Sequence, residues 1–278
     1  MTNTFDTALQ DRLALACKIA DKARTISLPA FHTDIVSENK NADKAGALEF
    51  DPVTKADIAT EKSLRDGIEK TFPNDNIEGE EFPPKHTKSN WSWCLDPIDG
   101  TRAFVAGVPV WSTLIAVSYK DRPLIGIIDL PALDERYIGC LDGSKQQAWK
   151  IVKGNTSPLR TAPCHDLNDV ILGCTEPMAM FSQGQKAAYE MIRRTARFTR
   201  LGLDAYGYAL VASGKMDMII EASMKPYDIL ALIPVVEGAG GKITNWHGGT
   251  NFESGAVVCT GDPDLITKTY PYLKRAMN

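Results

Sequence analysis

The sequence predicts a mixed α/β protein, with an antiparallel sheet in its N-terminal part and mixed helices and strands in its C-terminal part. Residues 112–152 consist of consecutive apolar segments joined by short turns, which is typical of an antiparallel sheet. After residue 157, short apolar segments alternate with segments of helical periodicity. The 278 residues, 44% of them hydrophobic, suit one large unit or two closely joined lobes. We predict one lobe over residues 1–155 and another over residues 156–278, sharing a cleft.

Two helices and a loop are predicted in the first 75 residues. Apolar residues recur at helical spacing over Leu9–Leu28, and the helix is predicted to end before Pro29. The polar stretch Ser37–Ala45 predicts an exposed, mobile loop. A second helix is predicted over Ala56–Lys70, stopping near Pro73.

Alternation and turn residues predict the remaining elements. Strands are predicted over Ser92–Leu95, Thr113–Val117, Leu124–Ile128, Arg136–Leu141, Ala148–Val152, Val170–Cys174, Phe198–Leu201, Met216–Glu221 and Ala256–Thr260. Helices are predicted over Gln183–Arg194, Asp204–Ser213 and Pro226–Glu237, and from Pro263 onward. Pro234 inside the third of these helices predicts a kink, because proline lacks a backbone donor and crowds the preceding turn.

Composition excludes several classes of function. The net charge of −4 argues against nucleic-acid binding, which normally requires a basic surface. The six cysteines are scattered and contain no C-x-x-C pair, as expected of reduced thiols in a cytoplasmic protein. No signal peptide and no membrane-spanning apolar run are indicated. We expect a cytoplasmic protein that binds neither membrane nor nucleic acid.

The stretch Asp96–Thr101 places two carboxylates, a turn and a hydroxyl within six residues, directly after an apolar strand. Oxygen ligands of this kind suit Mg²⁺, and one carboxylate can bridge two metal ions. Pro97 and Gly100 allow a stiff, sharp turn, which leaves the amides of Gly100 and Thr101 free to face an anion. The turn therefore suggests a site for metal and phosphate.

Three other acidic segments are candidates to join this site. Asp57 and Asp228 each stand near the start of a predicted helix, where an acid ordinarily caps the first turn. Glu80 and Glu81 follow a short strand, where adjacent acids are ordinarily just solvated. Each segment alone is thus open to a structural explanation.

Together these segments resemble the inositol-monophosphatase-like phosphatases, which are Mg²⁺-dependent and lithium-sensitive. The resemblance rests on four motifs: Asp51–Asp57, Gly79–Glu81, Asp96–Thr101, and Tyr227-Asp228 followed by Glu237–Gly241. It implies a layered αβαβα sandwich. Other segments are similar to the histidinol-phosphate phosphatase branch of the family. They are Gly100–Phe104, Pro109–Trp111, Gly126–Pro131, Gly202–Tyr208, Lys225–Asp228 and Pro234–Gly241.

The resemblance implies a site with two or three Mg²⁺ ions. Glu80, Asp96 and the Ile98 carbonyl would hold the first, Asp96, Asp99 and Asp228 the second, and Asp57 with Glu80 a third. Glu80 and Thr101 would orient the attacking water, and the Thr101 hydroxyl would donate towards Asp57. Attack on a phosphate monoester would be in line, by a metal-activated water, without a covalent phospho-enzyme.

The resemblance also suggests how substrate is recognised. Asp99, Gly100, Thr101 and Asp228 would contact the substrate beside the metals, and Asp204 and Glu221 match positions that contact the leaving group in related enzymes. Two extra acids would suit the cationic histidinol group better than an uncharged inositol. The structural alternatives are a helix cap for Asp204 and a strand-end acid for Glu221.

Three functions therefore remain open at this point. The first is a histidinol-phosphate phosphatase, and the second is an inositol-1-monophosphatase or a broad sugar-phosphate phosphatase. The third is a regulatory protein that uses the same fold as a binding surface. The family also implies a homodimer, in which Arg197 or Arg200 would cross the interface, whereas Arg193 and Arg194 need only complement the end of their helix.

Overall fold

A computed structural model describes residues 4–40, 52–142 and 145–274. Its first elements are a long helix, α1 (Thr4–Phe31), and a two-stranded antiparallel ribbon of β1 (Ser37–Asn39) and β2 (Pro52–Thr54). Helix α2 (Lys55–Thr71) follows at once. It begins with a capping box, in which the Thr54 hydroxyl accepts a backbone bond while the Asp57 carboxylate accepts the N–H of Thr54.

The larger sheet has seven strands, which lie side by side in chain order. They are β3 (Asn76–Gly79), β4 (Trp91–Asp99), β5 (Ser112–Tyr119), β6 (Arg122–Leu130), β7 (Glu135–Asp142), β8 (Lys145–Val152) and β9 (Asn155–Pro158). Among its described strands only β3 and β4 pair in parallel, so the sheet is otherwise the predicted antiparallel one. A short helix, α3 (Thr101–Val105), leaves the end of β4.

The C-terminal part alternates helices and strands, as predicted. Its helices are α4 (Pro177–Met180), α5 (Gln183–Thr195), α6 (Asp204–Ala212), α7 (Pro226–Ile229), α8 (Leu232–Gly238) and α9 (Pro263–Leu273). Its strands are β10 (Ile171–Cys174), β11 (Phe198–Leu201), β12 (Met218–Glu221), β13 (Lys242–Asn245) and β14 (Val257–Thr260). They form a mixed sheet in the order β11-β10-β12-β14-β13.

The elements stack as five layers. Helices α1 and α2 cover one face of the seven-stranded sheet, against side chains such as Trp93 and Ile115. The other face of that sheet packs against α6 and α8, and those helices also contact the five-stranded sheet, through Ile219 for example. Helices α5 and α9 cover the far face of the five-stranded sheet. The chain is therefore the αβαβα sandwich that the resemblance implied.

Two N-terminal predictions were wrong. Helix α1 continues through Pro29 to Phe31, because a proline in the last turn removes a single backbone bond while Phe31 packs against Phe104 and Trp111. Residues Ser37–Asn39, predicted as loop, form β1, because they pair with β2. Residues 41–45 of the predicted loop lie outside the described residues, as does Asp51.

The kink predicted from Pro234 takes the form of a break between α7 and α8, at Leu230 and Ala231. Pro234 is the third residue of α8, where its missing N–H leaves no intrahelical bond unmade. The break matters for the site, because it ends α7 directly after Asp228.

Candidate active site

The turn after β4 is held by its neighbours on the sheet. The pairing of β4 with β5 shifts between Asp96 and Asp99, and the hydroxyl of Thr113 donates to the carbonyl of Pro97 (2.8 Å). Gly100 follows with a φ of +77°, in the left-handed region that favours glycine, and precedes α3. The irregular strand end thereby holds both carboxylates at one edge of the sheet.

Three acids converge at this turn. One carboxylate oxygen from each of Asp96, Asp99 and Asp228 lies within 4.8 Å of the others. Asp99 is anchored by the N–H of Ala205 (3.0 Å) and the hydroxyl of Ser112 (3.1 Å). Asp228 caps α7 by accepting the N–H of Lys225 (2.6 Å). The capping role and the cluster are therefore compatible, since the cap uses one oxygen and leaves the other.

Asp57 and Glu80 lie close enough to the cluster of Asp96, Asp99 and Asp228 for their charges to affect it. One oxygen of Asp57 caps α2, whereas its Oδ1 is buried and has no hydrogen-bond partner among the described residues. Glu80 forms an ion pair with Lys40, whose Nζ also contacts Glu81 (2.6 and 2.7 Å). The charges of both Asp57 and Glu80 help to raise the pKa of Asp96.

The pKa values show an excess of negative charge. Burial, and then repulsion from Glu80 and Asp99, raises the pKa of Asp96 far above its usual range. Burial likewise raises the pKa of Asp228 to about 8, that of Asp99 to about 6 and, despite Lys40, that of Glu80 to about 7. Carboxylates so placed are stabilised by a bound cation.

These residues fit a hard divalent cation. Every ligand atom that they offer is a carboxylate or carbonyl oxygen, which is the donor set of Mg²⁺. The buried and unpartnered Oδ1 of Asp57 gives a second indication, because such an atom is normally satisfied. Asp96, Asp99 and Asp228 would form the centre of the metal site, with Asp57 and Glu80 beside them.

Thr101 differs from its prediction in one respect. Its hydroxyl donates to the carbonyl of Ile98 (3.0 Å), and not to Asp57. The bond closes the turn locally, since the two residues are three positions apart. Ile98 itself is fully buried, so its side chain packs in the core while its carbonyl belongs to the turn.

A cavity of about 830 Å³ opens beside the cluster. All six predicted substrate-contacting residues line it, namely Asp99, Gly100, Thr101, Asp204, Glu221 and Asp228. Glu221 ends β12 and is fixed by the N–H (2.8 Å) and hydroxyl (2.9 Å) of Thr175. Burial raises the pKa of Glu221 to about 7 and that of Asp204 well above its usual range. The cavity wall thus carries acids in addition to those of the metal cluster.

The sequence reasoning missed three charged residues at this site. Arg102 and Glu176 line the cavity and form an ion pair (2.9 Å) that joins α3 to the segment before α4. Lys40, described above, contributes a cation next to Glu80. Arg102 directly follows Thr101 and Lys40 lies in a polar stretch, but neither pattern indicates a partner that is distant in sequence.

Comparison with known proteins decides the family. Residues 8–277 match the sequence profile of the Inositol monophosphatase family. The chain belongs to the inositol monophosphatase family. Members of this family are metal-dependent phosphatases, in keeping with the acidic cluster.

This family member is similar to both kinds of phosphatase weighed above. It is 37% identical to bifunctional phosphatase IMPL2, chloroplastic, of Arabidopsis thaliana, over 94% of this chain and 74% of that protein. It is 31% identical to the histidinol-phosphatase of Chlorobaculum parvum, over 85% and 86%. A solved inositol monophosphatase from Zymomonas mobilis superimposes with a TM-score of 0.81 and 34% identity, covering 96% of this chain and 99% of that one. Within the described part of this family member, we find no helix with the length and apolarity that a membrane crossing requires.

Proposed function

We propose that this protein is a Mg²⁺-dependent phosphate monoester hydrolase, and that its substrate is histidinol phosphate. The observation that carries the proposal is that two separate groups of acidic side chains lie at one cavity. One group, around Asp96, suits metal ions, and a second group, Asp204 and Glu221, faces the space beside it. The first group supports the reaction, and the second supports a substrate with a positive leaving group.

Asp96, Asp99, Asp228, Glu80 and Asp57, with the Ile98 carbonyl, would hold two or three Mg²⁺ ions. When bound, Mg²⁺ neutralises phosphoryl oxygens and lowers the pKa of water. The protein's own residues set the geometry: Ser112 and the Ala205 amide fix Asp99, and the Lys225 amide fixes Asp228. Thr101 lies beside Asp99 in the cavity wall, and we propose that its hydroxyl and Glu80 orient the attacking water.

The choice of histidinol phosphate rests on charge. Histidinol carries an ammonium group, and its imidazole can also be protonated. Glu221 and Asp204 have pKa values raised by burial, so a nearby cation would favour their ionised forms. Glu176 also lines this wall, but its ion pair with Arg102 compensates its charge, so the surplus acids are Asp204 and Glu221. An uncharged inositol can donate hydrogen bonds to these carboxylates, but it leaves their negative charge uncompensated.

An inositol or sugar phosphate is the second candidate. It is favoured by the similarity to the Zymomonas mobilis inositol monophosphatase, which shares 34% of aligned residues. The metal cluster would be the same in either case, so the two candidates differ only in the leaving-group side of the cavity. A purely regulatory role is less well supported, because every acid of the metal motifs is present.

A substrate panel tests the proposal. Phosphate release should be measured with Mg²⁺ on histidinol phosphate, inositol 1-phosphate, fructose 1,6-bisphosphate and adenosine 3',5'-bisphosphate. We expect the highest kcat/KM with histidinol phosphate. A higher kcat/KM with inositol 1-phosphate would overturn only the choice of histidinol phosphate as the substrate. If metal-loaded protein released phosphate from none of the four compounds, the proposal that it is a phosphate monoester hydrolase would be overturned.

Asp204→Asn tests the charge argument directly. Asp204 has a φ of +47°, and asparagine tolerates this conformation, so the variant removes charge while keeping the backbone. We expect kcat/KM for histidinol phosphate to fall by about ten-fold or more, because a hydrogen-bonded charge pair contributes about 1.5–3 kcal/mol. The value for inositol 1-phosphate serves as the internal control. Equal losses on both substrates would contradict the charge argument.

Four further properties stay predictions. We propose a homodimer, inhibition by lithium, a cytoplasmic location, and no binding to nucleic acid. Phe198 and Leu201 support the first, since both are exposed on β11, an edge strand of the five-stranded sheet that also carries Arg200. Exposed apolar side chains on a sheet edge favour pairing with another chain.

A further inference from the structure

The segment Gly79–Pro83, which carries Glu80, rests on the side of α2 through two charged residues. The carboxylate of Glu61 accepts the N–H of Glu81 on one oxygen and the Nε–H of Arg65 on the other, both at 2.7 Å. The remaining nitrogens of Arg65 donate to the carbonyls of Phe82 (3.1 Å) and Pro83 (3.2 Å). Four hydrogen bonds therefore connect this pair and the segment into one unit.

Burial makes this arrangement specific. Glu61 is fully buried, and a buried carboxylate is costly unless both of its oxygens are paired. Gly79 lies so close that a Cβ there would stand 2.2 Å from Oε1 of Glu61. The residues before and after Glu80 both contact the same carboxylate, which fixes the backbone of Glu80 from two sides.

Helix α2 links this support to the metal cluster. Asp57, Glu61 and Arg65 are spaced by four residues, so they lie along one face of the helix. Asp57 presents its buried, unpartnered Oδ1 one turn before Glu61. One rigid helix thus sets the separation between Asp57 and Glu80.

We propose that Glu61 and Arg65 are positioning residues, which hold Glu80 in place for a divalent cation. The inference rests on the proposed function in one respect, namely that Glu80 is a metal ligand. A purely structural role would also explain the burial, but it predicts lower stability without a change in metal affinity. Metal binding therefore separates the two explanations.

Glu61→Gln is the variant that tests the pair. Glutamine has the same shape but only one acceptor oxygen, so its NH₂ group must face either Arg65 or the Glu81 amide, both of which are donors. Glu69→Gln is the matched control, because it makes the same substitution on α2 at a side chain that is 49% exposed. Mg²⁺ alone should be titrated calorimetrically into metal-stripped protein, well below the melting temperature of each variant.

We expect Glu61→Gln to weaken Mg²⁺ binding by about ten- to a hundred-fold, as is typical when a residue supporting a metal ligand is replaced. Glu69→Gln should bind as the wild type does. In a Glu80→Gln background, Glu61→Gln should have little further effect, because its action passes through Glu80. Full additivity of the two substitutions would overturn the inference.

If Glu61→Gln bound Mg²⁺ with the affinity of the wild type, the inferred positioning role would also be overturned, while the proposed function would stay intact. If Glu61→Gln does not fold, Arg65→Lys decides, since lysine keeps the charge but cannot reach three acceptors at once. Weaker Mg²⁺ binding by Arg65→Lys supports the inference, and unchanged binding overturns it. Absence of Mg²⁺ binding by the wild type would instead overturn the proposed function, and this inference with it.

Discussion

At Gly100 the chain turns between Asp99 and Thr101 with a φ of +77°, and the side chain of Asp204 packs against its backbone. A Cβ at this position would stand 3.0 Å from the Asp204 carboxylate. The residue therefore satisfies two requirements at once, a left-handed backbone and close contact between the metal side and the leaving-group side of the cavity. Gly107 and Gly154, by contrast, have a positive φ but no described atom within 4 Å of a Cβ.

Gly100→Ala should lower both stability and activity. The left-handed conformation alone costs alanine about 1 kcal/mol in the free energy of unfolding. Displacement of Asp204 should in addition lower kcat/KM by about ten-fold or more. Gly107→Ala is the control, since Gly107 has a φ of +73° but no described atom within 4 Å of a Cβ. Urea unfolding and phosphate release should be measured for both, and equal activity in the two variants would contradict the contact argument.

The raised pKa values predict how the metal-free protein responds to pH. Asp99, Glu80 and Asp228 have folded pKa values of about 6, 7 and 8, each above the unfolded value. Their stabilising contribution is therefore complete below the unfolded pKa and is lost as pH rises through the folded pKa. The metal-free protein should lose stability from about pH 4, near the unfolded pKa values, to about pH 8, and the stabilisation by Mg²⁺ should be largest at the upper end of this range.

Urea unfolding with EDTA and with Mg²⁺, at several pH values, measures this effect. Asp228→Asn removes the group with the highest of these three values, so the slope of stability against pH should become shallower in the metal-free variant. A steeper slope in Asp228→Asn, or a stabilisation by Mg²⁺ that is larger at low pH, would refute this explanation.

At the scale of elements, the close approach of α8 to the large sheet decides where Asp228 lies. A Cβ on Gly139 of β7 would stand 2.0 Å from the carbonyl oxygen of Pro234, and one on Gly126 of β6 equally close to that of Ala231. These contacts are with backbone, so no side-chain rotation can relieve them. The two glycines thereby let the broken α7–α8 unit lie directly on the sheet.

Gly139→Ala should push α8 away from the sheet. We expect a loss of about 1–3 kcal/mol in the free energy of unfolding, as for other overpacked cores, together with weaker Mg²⁺ binding because Asp228 moves with the helices. Gly261→Ala is the control, since Gly261, like Gly139, has no positive φ, and a Cβ there would meet no described atom closer than 3.4 Å. Chemical denaturation and calorimetric titration with Mg²⁺ measure the two effects. Normal metal affinity in Gly139→Ala would show that α7 is positioned independently of α8.

The sequence predicted the elements better than their contacts. The periodicity of α2 predicts a helix, and the motifs predict that Asp57 faces a metal site. Glu61 and Arg65, however, have the spacing of an exposed ion pair on a helix surface. Their burial depends on Gly79–Pro83 folding over them, which is a tertiary contact that local pattern does not encode. The same holds for β1, which exists only because β2 returns to pair with it.

At the scale of the molecule, the site takes its acids from both sheets and from the helical layer between them. Asp96 and Asp99 end a strand of the larger sheet, Glu221 ends a strand of the smaller one, and Asp228 comes from the helical layer between them. We propose that the two sheets belong to two lobes, residues 1–155 and 156–278, with the Arg102–Glu176 ion pair joining them across the cavity. The metal motifs predicted this convergence, whereas the ion pair depends on both lobes being in place.

The central claim is that the acids around Asp96 bind Mg²⁺ and that this binding drives hydrolysis of histidinol phosphate. The most direct measurement is the initial rate of phosphate release from histidinol phosphate, as Mg²⁺ is titrated into metal-stripped protein. We predict a rate near background without metal, a saturable rise with Mg²⁺, and almost no rise for Asp96→Asn. A rate that is independent of Mg²⁺, or equal in the wild type and Asp96→Asn, would contradict the claim.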